Sequence, residues 1–249
     1  MPETTSYGNF AFVYDALTDD VEYQKRCDYL ETLFSKHMDT RPSLIADLGC
    51  GTGTVCSIMS GRGYDMIGID SSSMMLSQAI NKPGSEKILY LNQDMVSFEL
   101  YGTVDVFLSM LDSINYITDI DELSKVFALV KNYLNIGGIF IFDVNTPYKY
   151  EHILSNNTFT YDDNGIFYVW ENNFDGEYCD FLINFFVEKE GSYTRFTEEH
   201  TQRCHTFKEL LDVIENSGLT LEAVYNDLSC DDPTTNSERI FLVVKKQGN

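Results

Sequence analysis

The chain has 249 residues and a formal net charge of −22 at neutral pH, from 39 acidic and 17 basic side chains. Such an acidic surface repels phosphate backbones and anionic lipids, so nucleic acids and membranes are poor candidates as partners. The first ten residues do not read as a signal peptide, and no apolar run reaches membrane-spanning length, so we expect a cytoplasmic protein. The six cysteines form no CxxC pair and the four histidines show no zinc spacing, so we expect no metal site.

Helical and strand patterns alternate over the first 150 residues. Residues 1–20 are rich in aromatic side chains, and a helix there would place Phe10, Ala11, Tyr14 and Leu17 on one face. Further helices are predicted over Val21–Met38 and Asp121–Leu134. Short apolar runs predict strands at Ser43–Ala46, Asp65–Asp70, Ile88–Leu91, Val104–Met110 and Ile139–Val144. This alternation predicts an α/β fold, a Rossmann-like, doubly wound and mostly parallel sheet.

The alternation stops after residue 150. Residues 157–204 contain four strand-like runs, separated by turn signals at Asn164-Gly165, Asp175-Gly176 and Glu190-Gly191. We therefore expect a small antiparallel β-sheet, over about 151–204, inserted into a single domain whose core comprises 1–150 and 205–249. A helix at Thr206–Asn216 and strands at Leu219–Leu228 and Glu238–Lys245 complete that core.

A glycine turn, Asp47-Leu48-Gly49-Cys50-Gly51-Thr52-Gly53, joins the first strand to a helix. Glycine permits positive φ there and lets backbone N–H groups approach a ligand closely. Thr54 occupies a position where a dinucleotide-binding turn has glycine or alanine, which counts against NAD. Asp70 and Asp94 follow the second and third strands, at the edge where open α/β sheets bind ligands. Their carboxylates could accept hydrogen bonds from ribose hydroxyls and from the adenine amine, respectively.

These motifs resemble those of the class I S-adenosylmethionine-dependent methyltransferases. The resemblance lies in Asp47–Gly53, in Gly68-Ile69-Asp70-Ser71-Ser72, in Gln93-Asp94-Met95, and in Leu134-Asn135-Ile136-Gly137-Gly138, where Ile136 replaces the proline of the family. The β-rich insert is similar to that of the small-molecule branch, which includes sugar-amine and glycine N-methyltransferases. The resemblance thus implies S-adenosylmethionine as cofactor and S-adenosylhomocysteine as product.

The resemblance also implies roles for individual residues. The methionine portion would be held by Asp47 and the turn glycines Gly49, Gly51 and Gly53. The ribose would contact Asp70 and Ser71, and the adenine would lie against Asp94 and Met95. Met110 and Leu111 would line the methyl-donor side, and Tyr7 and Tyr14 would close over the cofactor.

The acceptor side is less marked in the sequence. Asp112 and Asn145 follow the fourth and fifth strands and are our preferred acceptor contacts, although such residues also cap helices. Tyr14 is a candidate contact to substrate or sulfonium. His200 is a weaker candidate base, since its neighbours Glu198, Glu199 and Arg203 favour a solvated strand position. Trp170 is expected in core or dimer packing, with a pocket wall as the alternative.

The resemblance implies methyl transfer to a small soluble acceptor by direct in-line displacement. Together with the lack of a convincing general base, it slightly favours N-methylation over O-methylation. Two alternatives remain open at this point. One is an NAD-dependent oxidoreductase on a similar fold, and the other is a non-catalytic S-adenosylmethionine-binding module. We expect a monomer or a homodimer.

Overall fold

The structure is a computed structural model, which describes residues 11, 13–15, 18 and 21–248 of the chain. Residues 11 and 13–15 are helical, as predicted, whereas Tyr7, Phe10 and Leu17 lie outside the described residues. The helices that follow are α1 (Tyr23–His37), α2 (Thr54–Gly61), α3 (Ser73–Ala79), α4 (Ile120–Tyr133) and α5 (Phe207–Ser217). None of the helices in the described ranges is both long and apolar enough to cross a membrane.

The strands form two separate sheets. They are β1 (Leu44–Leu48), β2 (Asp65–Asp70), β3 (Ile88–Asn92), β4 (Val104–Ser109), β5 (Leu134–Asn145), β6 (Thr158–Asp163), β7 (Ile166–Phe174), β8 (Tyr178–Lys189), β9 (Ser192–Arg203), β10 (Thr220–Asn226) and β11 (Arg239–Lys245). The larger sheet has the order β10-β11-β5-β4-β1-β2-β3. Its first five strands in sequence are parallel, and β11 runs antiparallel to β5. The strand order reverses between the parallel strands β1 and β4: β2 and β3 extend the sheet on one side of β1, and β4 and β5 extend it on the other. A doubly wound sheet opens a ligand crevice at such a point.

Both faces of the larger sheet are covered, which explains its nearly continuous apolar strands. One face packs Phe107, Phe140 and Phe142 in the same core cluster as side chains of α4 and α5. The other face packs β-strand residues such as Ile141 and Phe241 against α1 and α2. This burial confirms the predicted doubly wound core.

The smaller sheet is an antiparallel meander in the order β6-β7-β8-β9, which confirms the predicted insert. Side chains alternate along β9: Glu198, His200 and Gln202 are buried, whereas Glu199 and Thr201 are exposed. The predicted solvated position of His200 is therefore wrong. Glu199 and Arg203 lie on the opposite face of the strand from His200, so their charges do not indicate the environment of His200.

Two local features of the larger sheet also differ from the sequence predictions. β5 begins at Leu134, before the predicted start of the strand at Ile139, and its pairing with β4 shifts between Val104 and Val106. Gly137 has a φ of 80° within this irregular stretch. A short 3-10 helix at Ser113–Tyr116 and a π-helix at Lys149–Leu154 follow β4 and β5, and the sequence patterns indicated neither of them.

Candidate active site

The glycine turn lies at the carboxyl end of β1, and Gly49, Gly51 and Gly53 have φ values of 72°, 54° and 70°. A Cβ at Gly49 would lie 2.9 Å from the Ser113 Oγ, whereas one at Gly51 would meet nothing within 4 Å. Gly49 is therefore required for packing, and Gly51 leaves open space beside its backbone. The Gly51 N–H donates a hydrogen bond of 2.8 Å to the Asp70 Oδ2, which ties the turn to β2.

A cleft of about 320 Å³ extends from this turn across the ends of β2 and β3. Asp70 also accepts a hydrogen bond of 2.8 Å from the Ser72 N–H, and burial raises the pKa of its carboxyl group. Asp94 accepts a hydrogen bond from the Val96 N–H at 2.9 Å. The cleft brings together eight residues of the predicted cofactor set: Tyr14, Gly49, Gly51, Asp70, Ser71, Asp94, Met95 and Leu111. Gly53 does not line it and serves as the N-cap of α2.

Asp47 lies beneath the turn and is 2% exposed. Its Oδ2 accepts a weak hydrogen bond from the Cys56 thiol at 3.5 Å, and its Oδ1 has no partner among the described residues. Burial raises the pKa of Asp47 to about 7. Together with Met110 it lines a small cavity of about 40 Å³ next to the cleft. A buried carboxyl oxygen without a partner fits an ammonium group such as that of a methionine tail.

The N-terminal helix is tied to the glycine turn through Asp15. The Asp15 Oδ1 accepts a hydrogen bond of 2.5 Å from the Thr52 hydroxyl, and the Lys82 Nζ lies 2.9 Å from its Oδ2. Lys82 also donates a hydrogen bond of 2.5 Å to the Thr54 Oγ1. Thr54, which argued against a dinucleotide, thus joins a polar cluster that holds the neighbouring Tyr14 over the turn.

A second cavity, of about 310 Å³, lies between the larger sheet and the insert. Its walls are apolar and largely aromatic, and its polar floor comes from chain segments that follow β4 and β5 and from β9 and β11. The walls include Tyr168, Trp170, Phe181, Ile183 and Phe185, and the floor comprises Asp112, Asn145, Lys149, Gln202 and Arg239. Trp170 therefore packs in an aromatic cluster and forms part of a cavity wall at the same time.

Asp112 is held by two side chains of the floor. Its Oδ1 accepts a hydrogen bond of 2.5 Å from the Arg239 Nη2, and its Oδ2 accepts one of 2.6 Å from the Gln202 Nε2. Burial alone would raise the pKa of Asp112, but the charges of Arg239 and Lys149 outweigh it and hold this pKa below its usual value. Asp112 is thus a weak proton acceptor.

Arg239 also binds Asp143, which is fully buried, through its Nη1 at 2.6 Å. Asn145, the other preferred acceptor contact, lies beside this ion-pair network. Its Oδ1 accepts a hydrogen bond of 2.9 Å from Lys149. Arg239, Gln202 and Lys149 were not predicted from the sequence, because they come from elements distant in the chain or from the π-helix.

The cleft and the second cavity share four lining residues: Tyr14, Leu111, Tyr116 and His200. Leu111 and Asp112 have φ values of 56° and 54°, a region that residues other than glycine rarely adopt. The His200 ring stands edge-on to the Tyr116 ring at 5.8 Å, and burial lowers the pKa of His200, which favours its neutral form.

Comparison with known proteins identifies the family. Residues 45–138 match the family described as "Methyltransferase domain". The chain is 31% identical over 244 residues, 96% of its length, to the Bacillus subtilis (strain 168) protein named "Putative methyltransferase YqeM", of which 97% is covered. The chain belongs to the S-adenosylmethionine-dependent methyltransferases.

Solved structures of this family agree with the assignment. A S-adenosylmethionine-dependent methyltransferase from Clostridium acetobutylicum ATCC 824 has a TM-score of 0.89 and 34% identity, with 97% of this chain and 99% of the other covered. The sugar N-methyltransferase KedS8 from Streptoalloteichus sp ATCC 53650 has a TM-score of 0.80 at 16% identity, with 95% and 93% covered, and shares the fold. Membership in this family decides against the NAD-dependent oxidoreductase and against a non-catalytic module. In the described part of this methyltransferase, no group of three or more His, Cys, Asp or Glu side chains could hold a metal ion.

Proposed function

We propose that this methyltransferase acts on a small-molecule acceptor bound in the second cavity, and that it methylates nitrogen in preference to oxygen. The observation that carries the proposal is the contact between the two cavities at Tyr14, Leu111, Tyr116 and His200. A donor in the cleft and an acceptor in the second cavity would face one another there. In this proposal the chain is a single domain, and the inserted sheet of residues 151–204 forms part of the acceptor-binding cavity.

The cofactor residues have complementary roles in this proposal. Asp47 pairs with the amino group of the methionine portion, and the open backbone at Gly51 lies beside that portion. Asp70 accepts hydrogen bonds from the ribose, with Ser71 beside it, while Asp94 and Met95 contact the adenine. When bound, S-adenosylmethionine would supply a methyl group whose carbon the acceptor lone pair attacks in line, while the C–S bond breaks and S-adenosylhomocysteine leaves.

On the acceptor side, the protein aligns the two reactants and excludes water. Correct alignment contributes up to about 7–11 kcal/mol to lowering a bimolecular barrier. Tyr14 and Tyr116 line both cavities, and in this proposal their rings stabilise the sulfonium by about 0.5–2 kcal/mol. Met110 and Leu111 keep the donor side apolar. Asp112 and Asn145 belong to the floor that positions the acceptor.

Two considerations favour nitrogen over oxygen as the acceptor atom. Asp112 has both carboxyl oxygens occupied and a lowered pKa, so it is unsuited to remove a hydroxyl proton. An amine acceptor needs only to be bound in its neutral form, without a strong base. The name of the structurally similar KedS8, a sugar N-methyltransferase, points in the same direction.

O-methylation is a second candidate because His200 lies where the cavities meet and burial favours its neutral form. The substitution His200→Gln separates the two. General-base catalysis contributes about 10²–10⁴-fold, so loss of this magnitude in kcat is expected for an alcohol acceptor. For an amine acceptor we expect a change in kcat of less than about tenfold.

The measurement is methyl transfer from labelled S-adenosylmethionine to a panel of small amines and alcohols, with the methylated atom located by mass spectrometry and NMR. His152→Gln is the matched control, because His152 is more than half exposed and lines neither cavity. Transfer to amines that survives His200→Gln supports N-methylation. Transfer only to protein substrates would contradict the proposal.

Cofactor binding should depend on the protonation of Asp47. Burial raises its pKa to about 7, and only the ionised form can pair with an ammonium group. The affinity for S-adenosylmethionine should therefore fall by about tenfold per pH unit below about pH 7, as protonation of the free protein competes with binding. Calorimetric titrations between about pH 5.5 and 8 measure this slope. Asp47→Asn should flatten it, and 5′-methylthioadenosine, which lacks the amino group, should show no such slope in the unmodified chain.

A further inference from the structure

The floor of the second cavity has one carboxylate, that of Asp112, and the carboxylate of Asp143 lies beneath it; both pair with a cation of the protein. Arg239 bridges Asp112 and Asp143 through its two terminal nitrogens. The Gln202 amide and the Asp112 N–H supply further hydrogen bonds to them. Since Arg239 already pairs with both carboxylates, a cationic group of the acceptor would have to compete with its charge.

Lys149 differs from the other charged side chains of this floor, because it has no ion-pair partner within the described residues. Its Nζ donates a hydrogen bond of 2.9 Å to the Asn145 Oδ1, a neutral acceptor, and within the described part of the chain it forms no ion pair. Burial, together with the charge of Arg239, lowers the pKa of Lys149, while the charges of Asp112, Glu238 and Asp143 act in the opposite direction. Lys149 thus has no carboxylate of the described residues within ion-pair distance, although the protein as a whole has 39 acidic side chains against 17 basic ones.

A partly buried ammonium without a direct ion-pair partner is unfavourable, and an anionic ligand group would provide that partner. The opposite side of the cavity is suited to an apolar body, since Trp170, Phe181 and Phe185 form its wall. The two sides lie in one cavity of about 310 Å³, a volume within the range of small-ligand sites. Together they fit a small molecule with an aromatic or aliphatic body and one negative charge.

We infer that the acceptor carries an anionic group, a carboxylate or a phosphate, that binds the Lys149 ammonium while its apolar body packs against Trp170. The inference rests on the proposed function, because it assigns a substrate class to the same cavity. Lys149 then determines specificity and does not take part in the displacement itself. Direct contact with the Lys149 ammonium then selects an anion in spite of the acidic composition of the chain.

Trp170 provides a direct measurement, because it is the single tryptophan of the chain and lines the second cavity but not the cleft. Its fluorescence is followed in the presence of saturating S-adenosylhomocysteine, so that no turnover occurs. The probes are matched pairs: phenylacetate against phenylacetamide, and benzyl phosphate against benzyl alcohol. We expect at least one anion to bind tenfold or more tightly than its neutral partner, and the pair that shows this preference identifies the anionic group.

Lys149→Met should remove this preference, and Lys149→Arg should retain most of it. Lys125→Met is the matched control, since Lys125 is exposed on α4 and its loss changes the net charge equally. A thermal midpoint raised by S-adenosylhomocysteine in Lys149→Met shows that this variant is folded. Equal binding of anionic and neutral probes, no response to any anion, or a preference that survives Lys149→Met would overturn the inference. Transfer by the unmodified chain to a neutral acceptor that is at least as efficient as transfer to its anionic counterpart would also overturn it and leave the proposed methyl transfer intact.

Discussion

Arg239→Met should lower the free energy of unfolding by about 3–5 kcal/mol at pH 8, because removing one partner of a buried ion pair leaves uncompensated charges. Both terminal nitrogens of Arg239 bind carboxylates, at 2.5 Å from Asp112 and 2.6 Å from Asp143. The nearest other cation to Asp143 is Arg26, at the longer distance of 3.9 Å. The variant should also bind the acceptor poorly, since the floor of the second cavity loses its central side chain.

The sign of the pH dependence provides a second criterion. Without Arg239 the pKa values of Asp112 and Asp143 should rise, so protonation would relieve the unfavourable charge. Relative to the unmodified chain, the destabilisation should therefore be largest above these pKa values and should decrease as the pH falls. Urea unfolding at pH 5.5 and at pH 8 measures the size of the destabilisation and its change with pH. Arg195→Met is the control, because Arg195 is exposed and its loss should change stability by about 0.5 kcal/mol or less. Equal stability of Arg239→Met and the unmodified chain at pH 8 would contradict the prediction.

Asp70→Ala should weaken S-adenosylmethionine binding by about 10²-fold or more. Two hydrogen bonds from ribose hydroxyls to a carboxylate contribute about 1.5–3 kcal/mol each, which corresponds to at least this factor. The substitution also removes the acceptor for the Gly51 and Ser72 N–H groups, so the turn itself loses a support.

Two further variants separate these effects. Asp70→Asn keeps a carbonyl oxygen that can accept the Gly51 N–H and should lose less affinity than Asp70→Ala. Asp65→Ala removes an exposed carboxylate from the opposite end of the same strand and should bind the cofactor as the unmodified chain does. Isothermal titration with S-adenosylmethionine and S-adenosylhomocysteine tests all three. Undiminished affinity in Asp70→Ala would remove the proposed ribose role.

The donor side was largely predictable from sequence because its chemistry is local in the chain. The glycine turn directly follows β1, and Asp70 and Asp94 end or follow neighbouring parallel strands. Once the alternation of strands and helices predicts a parallel sheet, these positions necessarily meet at one edge. Asp47 was identified in the same way, although its unpartnered Oδ1 became visible only in the structure.

The acceptor side was less predictable because its contacts join distant parts of the chain. Arg239 reaches Asp112 across 127 positions, and Gln202 reaches it across 90. Strand periodicity showed that Tyr168 and Trp170 share a face, but both faces of β7 carry large apolar residues. Only the packing of the insert against the larger sheet decides which face lines a cavity. For the same reason the burial of His200 could not be inferred from its charged neighbours.

The aromatic wall of the second cavity has one further property. All of its strand residues belong to a single uninterrupted segment, β6–β9, which leaves the core after β5 and returns to it before α5. The cleft between β1, β2 and β3 draws none of its strand residues from that segment except His200 on β9. Substitutions in β6–β9 can therefore change the second cavity while the residues of the cleft stay the same. Substrates of such enzymes can then diverge through changes in this one segment, provided that β9 keeps His200 between the two cavities and Gln202 on Asp112.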